Sequence, residues 1–328
     1  MSSPGGSNSG AVPPLAAAKI PLTDMGTQTY LGFSGGLYLS GDNQVPADHD
    51  REGMARAAAV VPLDPNGNPS PSGKIVLISV GMSNVTQEWC SASSTPPCAP
   101  QSFMPKAAAD SRVNHTTLLI LNGAKGGQAA PDWISPSSPN YDRVRDEVLA
   151  PNGVTEKQVE AVWIKEADPG PTVSLPAASA DAFTLESELG NIARAMKSRW
   201  PNLQQVFLSS RIYAGFATTS LNPEPYAYES GFSVKWLVQA QITQMRNAGT
   251  VTDTVAGDLN FTTVAPWIVW GPYLWANGMT PRSDGLIWEP ADFQSDGTHP
   301  SSSGVDKVAN LLMKFFLNSP YAPWFRAS

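Results

Sequence analysis

Residues 74–84 read Lys-Ile-Val-Leu-Ile-Ser-Val-Gly-Met-Ser-Asn. From Lys74 to Val80 the run is largely apolar and rich in β-branched side chains, as expected for a strand buried on both faces of a parallel sheet. It then breaks off in Gly81-Met82-Ser83-Asn84. A glycine lets the chain turn sharply as it leaves a sheet, and open α/β sheets bind ligands beyond the carboxyl ends of their strands. Ser83 is therefore either the N-cap of a following helix or a side chain presented to a crevice.

Similar apolar runs recur at 117–121, 159–164, 205–209 and 264–270. Helical patterns fall between them. Leu185, Leu189, Ile192 and Met196 share one face of a helix that must end before Pro201. Phe232, Val234, Leu237, Val238, Ile242 and Met245 mark a second helix with a broader apolar face. Val305, Val308, Leu312, Phe315 and Phe316 mark a third, entered through the Ser301–Ser303 cluster. Strands alternating with helices predict an α/β protein, a three-layer α/β/α sandwich around a mostly parallel five-stranded sheet. One domain over 71–328 accounts for these elements. Residues 15–70 form a loop-rich extension packed on it, in which Tyr30 to Ser70 shows no helical periodicity. Residues 1–14, rich in Ser, Gly and Pro, read as a flexible leader.

Composition narrows the function classes. With 41% hydrophobic and 15% charged residues, the chain has the profile of a folded globular protein. A formal net charge of -7 disfavours a nucleic-acid partner or a polybasic membrane contact. The longest apolar candidate, 264–276, is interrupted by Pro266, Gly271 and Pro272 and falls short of the roughly 18–20 residues of a membrane span. The N-terminus lacks the basic and apolar regions of a signal peptide. The only two cysteines, Cys90 and Cys98, stand eight positions apart. Paired, they imply an oxidising compartment and a secreted or periplasmic protein; the alternative is two free thiols in a loop. Oligomeric state is not legible.

The chemistry comes from the far end of the chain, Asp296-Gly297-Thr298-His299-Pro300. A serine hydroxyl is a poor nucleophile at neutral pH without an adjacent base. Imidazole suits the task because it can accept a proton and return it, and a carboxylate must fix its tautomer. Asp296, three positions before His299, can reach back to the ring. The chain has only three histidines. His49, in the N-terminal loop region, and His115, just before a strand, suit structural or surface roles.

Asp296-x-x-His299-Pro300, followed by Gly304 and an apolar helix, resembles the C-terminal motif of SGNH/GDSL hydrolases. Gly81-Met82-Ser83 is similar to their Gly-Asp-Ser block, with Met82 in place of aspartate. Asn122-Gly123-Ala124-Lys125-Gly126-Gly127-Gln128, with Trp133 beyond it, resembles the second block of the carbohydrate acetylesterase and sialate O-acetylesterase branch. The resemblance implies an SGNH-like fold, a Ser83–His299–Asp296 triad, and an oxyanion hole from the N–H of Ser83 and that of Gly127 or Gly126. The usual third block, Gly-x-Asn-Asp, is absent. Trp163-Ile164-Lys165-Glu166-Ala167-Asp168 resembles the acetylesterase variant Trp-x-Gln-Gly-Glu and puts Lys165 at the position of a glutamine donor. Lys165 would then either complete the oxyanion hole or pair with Glu166 or Asp168. The resemblance spans residues 74–316 and leaves 15–70 and 211–229 unexplained.

No His-Glu-x-x-His pair, Cys/His cluster or Walker loop occurs, so no metal or cofactor is expected. Among ten tryptophans, four (Trp267, Trp270, Trp275 and Trp288) precede the Asp–His motif. Trp133, Trp270 and Tyr213 are candidate substrate-binding side chains, with Tyr226 and Tyr228 near them. Arg211, at a strand end, either binds a substrate carboxylate or pairs with an acid. Gly41-Asp42-Asn43 and the His49 region are candidates for a polar lid. The expected activity is hydrolysis of short-chain acyl esters, acetyl above all, on a small-molecule or carbohydrate substrate. The alternatives are a non-catalytic carbohydrate-binding or surface module on a decayed site and, among enzymes, an arylesterase or lipase-like hydrolase.

Overall fold

The computed structural model describes residues 19–91 and 97–327; the 1–14 leader lies outside them. Five strands form one sheet: β1 (Ile75–Gly81), β2 (Leu118–Asn122), β3 (Val159–Lys165), β4 (Gln205–Leu208) and β5 (Trp267–Trp270). Their spatial order is β2-β1-β3-β4-β5, and every pairing is parallel. The strand order reverses at β1, and Ser83 follows that strand directly. Every residue of β1 and β3 is buried, which matches their largely apolar reading.

Helices cover both faces. On one, α4 (Asp181–Arg199) and α5 (Tyr226–Arg246) pack together, with Ser233 donating to the Ala182 carbonyl at 2.6 Å. The other carries α2 (Ser83–Trp89), α3 (Phe103–Ala109) and α6 (Ser302–Asn318). Trp163 of β3 and Phe207 of β4 are register neighbours, so they share this face. Trp89 of α2 stacks on Trp163 with centroids 5.2 Å apart, and Phe103 and Phe316 continue the aromatic layer. Most tryptophans thus serve the core.

The N-terminal segment differs from its loop reading in one respect. Ala47–Ala59 is a 13-residue helix, α1. Its inward face consists of His49, Gly53 and Ala57, spaced four apart. Small and polar residues give no hydrophobic periodicity, so the pattern is invisible to a count of apolar side chains. A Cβ on Gly53 would stand 2.3 Å from the Trp267 ring, so the helix lies directly on β5. His49 stacks on Trp267 and bonds the Ile268 carbonyl through Nε2 at 2.9 Å. It is core, and the lid expectation for its region fails for that reason. Cys90 and Cys98 form a disulfide.

Candidate active site

Ser83 owes its position to the residue two before it. Gly81 has φ +152, and a Cβ there would meet Val85 Cγ2 at 2.5 Å and the Lys165 carbonyl at 2.7 Å. Only glycine permits the first turn of α2 to fold this tightly over the end of β1. Ser83 is the first residue of α2, so its N–H has no acceptor within its own helix. Asn84, 1% exposed, donates from Nδ2 to the Thr298 carbonyl at 3.1 Å and joins α2 to the turn before α6.

That turn brings His299 and Asp296 to the serine. Ser83 Oγ lies 2.8 Å from His299 Nε2, and His299 Nδ1 lies 2.5 Å from Asp296 Oδ2. Asp296 Oδ1 also accepts the N–H groups of Thr298 and His299, at 2.9 and 3.0 Å. Partial burial pushes this carboxyl up, but the ring and backbone hydrogen bonds prevail and hold it below the usual carboxylate range. With Nδ1–H committed to Asp296, Nε2 is left to accept the serine proton.

The residues 211–229, unassigned from sequence, brace the same turn. Thr218 N–H donates to the Asp296 carbonyl at 2.9 Å, and the Thr219 and Thr298 hydroxyls are 2.8 Å apart. Gly297 sits at φ +64 with the Phe216 carbonyl 1.9 Å from where a Cβ would be. A side chain at 297 would drive the brace off.

A cleft of about 300 Å³ opens beside Ser83 and His299, walled in part by Gly127, Ala129, Ala167, Pro169 and Leu221. Gly126 stands across from the serine: a Cβ on it would be 3.7 Å from Ser83 Cβ. Gly126 and Gly127 are therefore gathered at the nucleophile's side of the cleft. Arg211 also lines it, as do Asp168 and Asn222, which sequence reasoning did not single out. Asn222 carries one legible signal, a φ of +60 that asparagine tolerates better than most residues, but only the fold shows which cavity that turn faces.

Four expected site residues stand elsewhere. Lys165 is fully buried and gives its ammonium to both carboxylate oxygens of Glu88 on α2, at 2.5 Å for Oε1. Side chains alternate along a strand, so Lys165 follows Trp163 onto the face beneath α2 and away from the cleft. Its partner is neither Glu166 nor Asp168. Burial lowers the Lys165 ammonium to about 8 despite Glu88, and it raises the Glu88 carboxyl against the opposing pull of Lys165. Glu166 is buried with no hydrogen-bond partner for either oxygen among the described residues, and burial pushes its carboxyl well up, toward the neutral acid. Trp133 is fully buried edge-on to Tyr141. Trp270 donates its indole N–H to the Leu37 carbonyl at 2.9 Å and borders a different cavity, with Asn43. Tyr213 packs on Phe216 and Trp275 and is not part of the cleft wall.

No family model and no curated protein matches the chain. Solved structures with related coordinates include a GDSL-like lipase from Bacteroides thetaiotaomicron, 12% identical with a TM-score of 0.39 over 81% of this chain and 95% of that one. An extracellular lipase from Streptomyces rimosus is 15% identical, with a TM-score of 0.31 over 73% and 99%. A carbohydrate esterase family 2 enzyme from Corynascus thermopiles is 12% identical, with a TM-score of 0.36 over 75% and 67%. At these identities and scores, function has to be argued from the site itself.

Proposed function

We propose that the protein is a serine ester hydrolase of the SGNH/GDSL kind that removes short acyl groups, with acetylated carbohydrate as the substrate class suggested by its sequence motifs. The observation that carries this reading is the hydrogen-bonded chain from Ser83 Oγ through His299 to Asp296, at 2.8 and 2.5 Å. Ser83 Oγ attacks the ester carbonyl carbon while its proton passes to His299 Nε2. Asp296 steadies the imidazolium that forms. The N–H groups of Ser83 and Gly127 take the negative charge that develops on the carbonyl oxygen. The tetrahedral adduct collapses, the alkoxide leaves with the proton from Nε2, and the acyl group stays on Ser83. Water then repeats the cycle, releasing the carboxylic acid and restoring the serine.

A cleft of about 300 Å³ bounded by Ala129, Ala167 and Pro169 favours a short acyl group. The Cys90–Cys98 disulfide supports an exported location. Lys165 has no part in the scheme, which rests on two backbone donors. The test is hydrolysis of 4-nitrophenyl acetate by the wild type and by Ser83→Ala. A loss of roughly 10⁴–10⁶-fold in kcat is expected, and equal rates would remove Ser83 from the mechanism.

A further inference from the structure

Arg211 follows β4 and is 1% exposed, yet its Nε and Nη2 have no hydrogen-bond partner among the described residues. The carboxylates nearest to it are committed. Glu88 holds Lys165 with both oxygens. Glu224 accepts the Trp275 indole N–H at 2.7 Å and the N–H groups of Ala214 and Tyr228. Asp168, in the same cleft, is hydrogen-bonded to Glu188. Two arginines elsewhere contrast with it: Arg246 grips Asp48, and Arg282 grips Asp284, each through Nε and Nη2 at 2.6–2.8 Å. Glu88 and Glu224 lend the guanidinium their charge but not a hydrogen bond, and leaving two of its buried donors unpartnered is unfavourable unless an acceptor arrives.

A second group in the same cleft is unsatisfied. Asn222 is 5% exposed, and its Nδ2 donates to the Asp168 carbonyl at 3.2 Å, which fixes the orientation of the amide. Its Oδ1 is then left buried without a donor. Arg211 and Asn222 line one cleft with Ser83 and His299. Cationic donors and a neutral acceptor, both without a hydrogen-bond partner among the described residues, call for a ligand that carries an anion and a hydroxyl or N–H.

We propose that Arg211 and Asn222 form a subsite for a carboxylate-bearing part of the ester substrate, so that the enzyme acts on acidic rather than neutral esters. The proposal rests on the reading of Ser83 as the nucleophile of an ester hydrolase. Arg211 takes the carboxylate, Asn222 Oδ1 accepts the neighbouring hydroxyl or N–H, and the scissile carbonyl is thereby held against Ser83.

Two probe pairs, each differing only by carboxylate against carboxamide, test it with the full chain. 4-Nitrophenyl hydrogen succinate and 4-nitrophenyl succinamate place the group on the acyl side. O-acetyl-lactate and O-acetyl-lactamide place it on the alcohol side. In one pair the wild type should favour the carboxylate by about 30-fold or more in kcat/KM, and that pair identifies the side. The ratio should fall toward one in Arg211→Gln, fall partly in Arg211→Lys, and fall in Asn222→Asp, which sets a negative charge beside the guanidinium. Equal use of both members in both pairs, or an unchanged ratio in a folded Arg211→Gln, would overturn the proposal. If that variant does not fold, competitive inhibition of the wild type by succinate or lactate, and not by succinamide or lactamide, supports the subsite; its absence overturns it. If the wild type hydrolyses no ester, the hydrolase reading fails, and the subsite is judged separately by whether succinate or lactate raises the melting temperature while the amides do not.

Discussion

Asn84 Nδ2 donates to the Thr298 carbonyl at 3.1 Å, so the residue after Ser83 is bonded to the residue before His299. Both groups are buried. The spacing of Ser83 and His299 is therefore set by a contact that takes no part in the proton transfer. Asn84→Ala should lower kcat by about tenfold, as expected from a small misplacement of reacting groups. The pH profile should keep its midpoint, because the imidazole and its carboxylate are untouched. A kcat equal to the wild type's would show that the turn holds its place without this bond.

Asp296→Asn keeps the shape of the acid and removes its charge. The amide can donate to Nδ1 and stabilise the wrong tautomer, so kcat should fall by about 10³–10⁴-fold with little change in KM. The Asp296 carboxyl is held below the usual range in the folded chain. The stability it adds is present above the ordinary carboxylate pKa and is lost as pH falls through the depressed folded value. Urea midpoints of this variant should consequently depend less on pH on the acid side than those of the wild type.

His49 and His299 should separate cleanly. Burial pulls His49 down to about 4, so the folded chain keeps it neutral while the unfolded chain protonates it near 6.5. Its contribution to stability is full above 6.5 and is lost as pH falls from there toward 4. His49→Gln should flatten that acid limb in thermal melts and leave hydrolysis of 4-nitrophenyl acetate within about twofold. His299→Ala should do the reverse and abolish turnover. Loss of activity in His49→Gln at full folding would contradict its placement in the core.

Glu160 on β3 has the opposite sign. Burial raises its carboxyl to about 8, with one oxygen accepting the Val61 N–H at 3.0 Å and the other unpartnered. The folded chain prefers the protonated acid, so stability is full below the unfolded pKa of about 4.5 and declines as pH rises toward 8. Glu160→Gln should remove that decline, gaining on the order of a few kcal/mol relative to wild type at pH 8. Melting curves of the two proteins at pH 5 and pH 8 give the comparison.

Lys165 and Glu88 should behave as a buried ion pair. Lys165→Met alone leaves the Glu88 carboxyl without its cation and should cost about 3–5 kcal/mol. Combined with Glu88→Leu, most of that stability should return, and ester hydrolysis with it. An oxyanion donor would behave otherwise: the double variant would stay about 100–1,000-fold slow in kcat.

The residues that are contiguous in the chain were the readable ones. The run from Lys74 to Ser83 and the turn from Asp296 to His299 each encode their geometry locally, through strand burial, one sharp glycine and a three-residue reach. Parallel pairing followed from the alternation of apolar runs with helical patterns, whereas the strand order came only from the fold. What failed depends on tertiary facing. Lys165 reads as a donor at a strand end until the alternation from Trp163 turns it beneath α2. Trp133 and Trp270 look like binding aromatics because indole burial cannot be read from composition. Helix α1 was hidden because a face of His49, Gly53 and Ala57 does not look apolar. Asn84 and Asn222 matter through partners 214 and 54 positions away, beyond the reach of any local pattern.

The brace at Thr218 and Thr219 ties two properties together that many enzymes keep apart. Residues 211–222 supply Arg211 and Asn222 to the cleft, and the same stretch is fastened to Asp296 and Thr298. A change of taste would therefore disturb the proton relay. Grafting a different stretch here to alter selectivity should slow turnover on every substrate, whereas a change at Ala129, which lines the cleft from outside that stretch, should retune the cleft without that penalty.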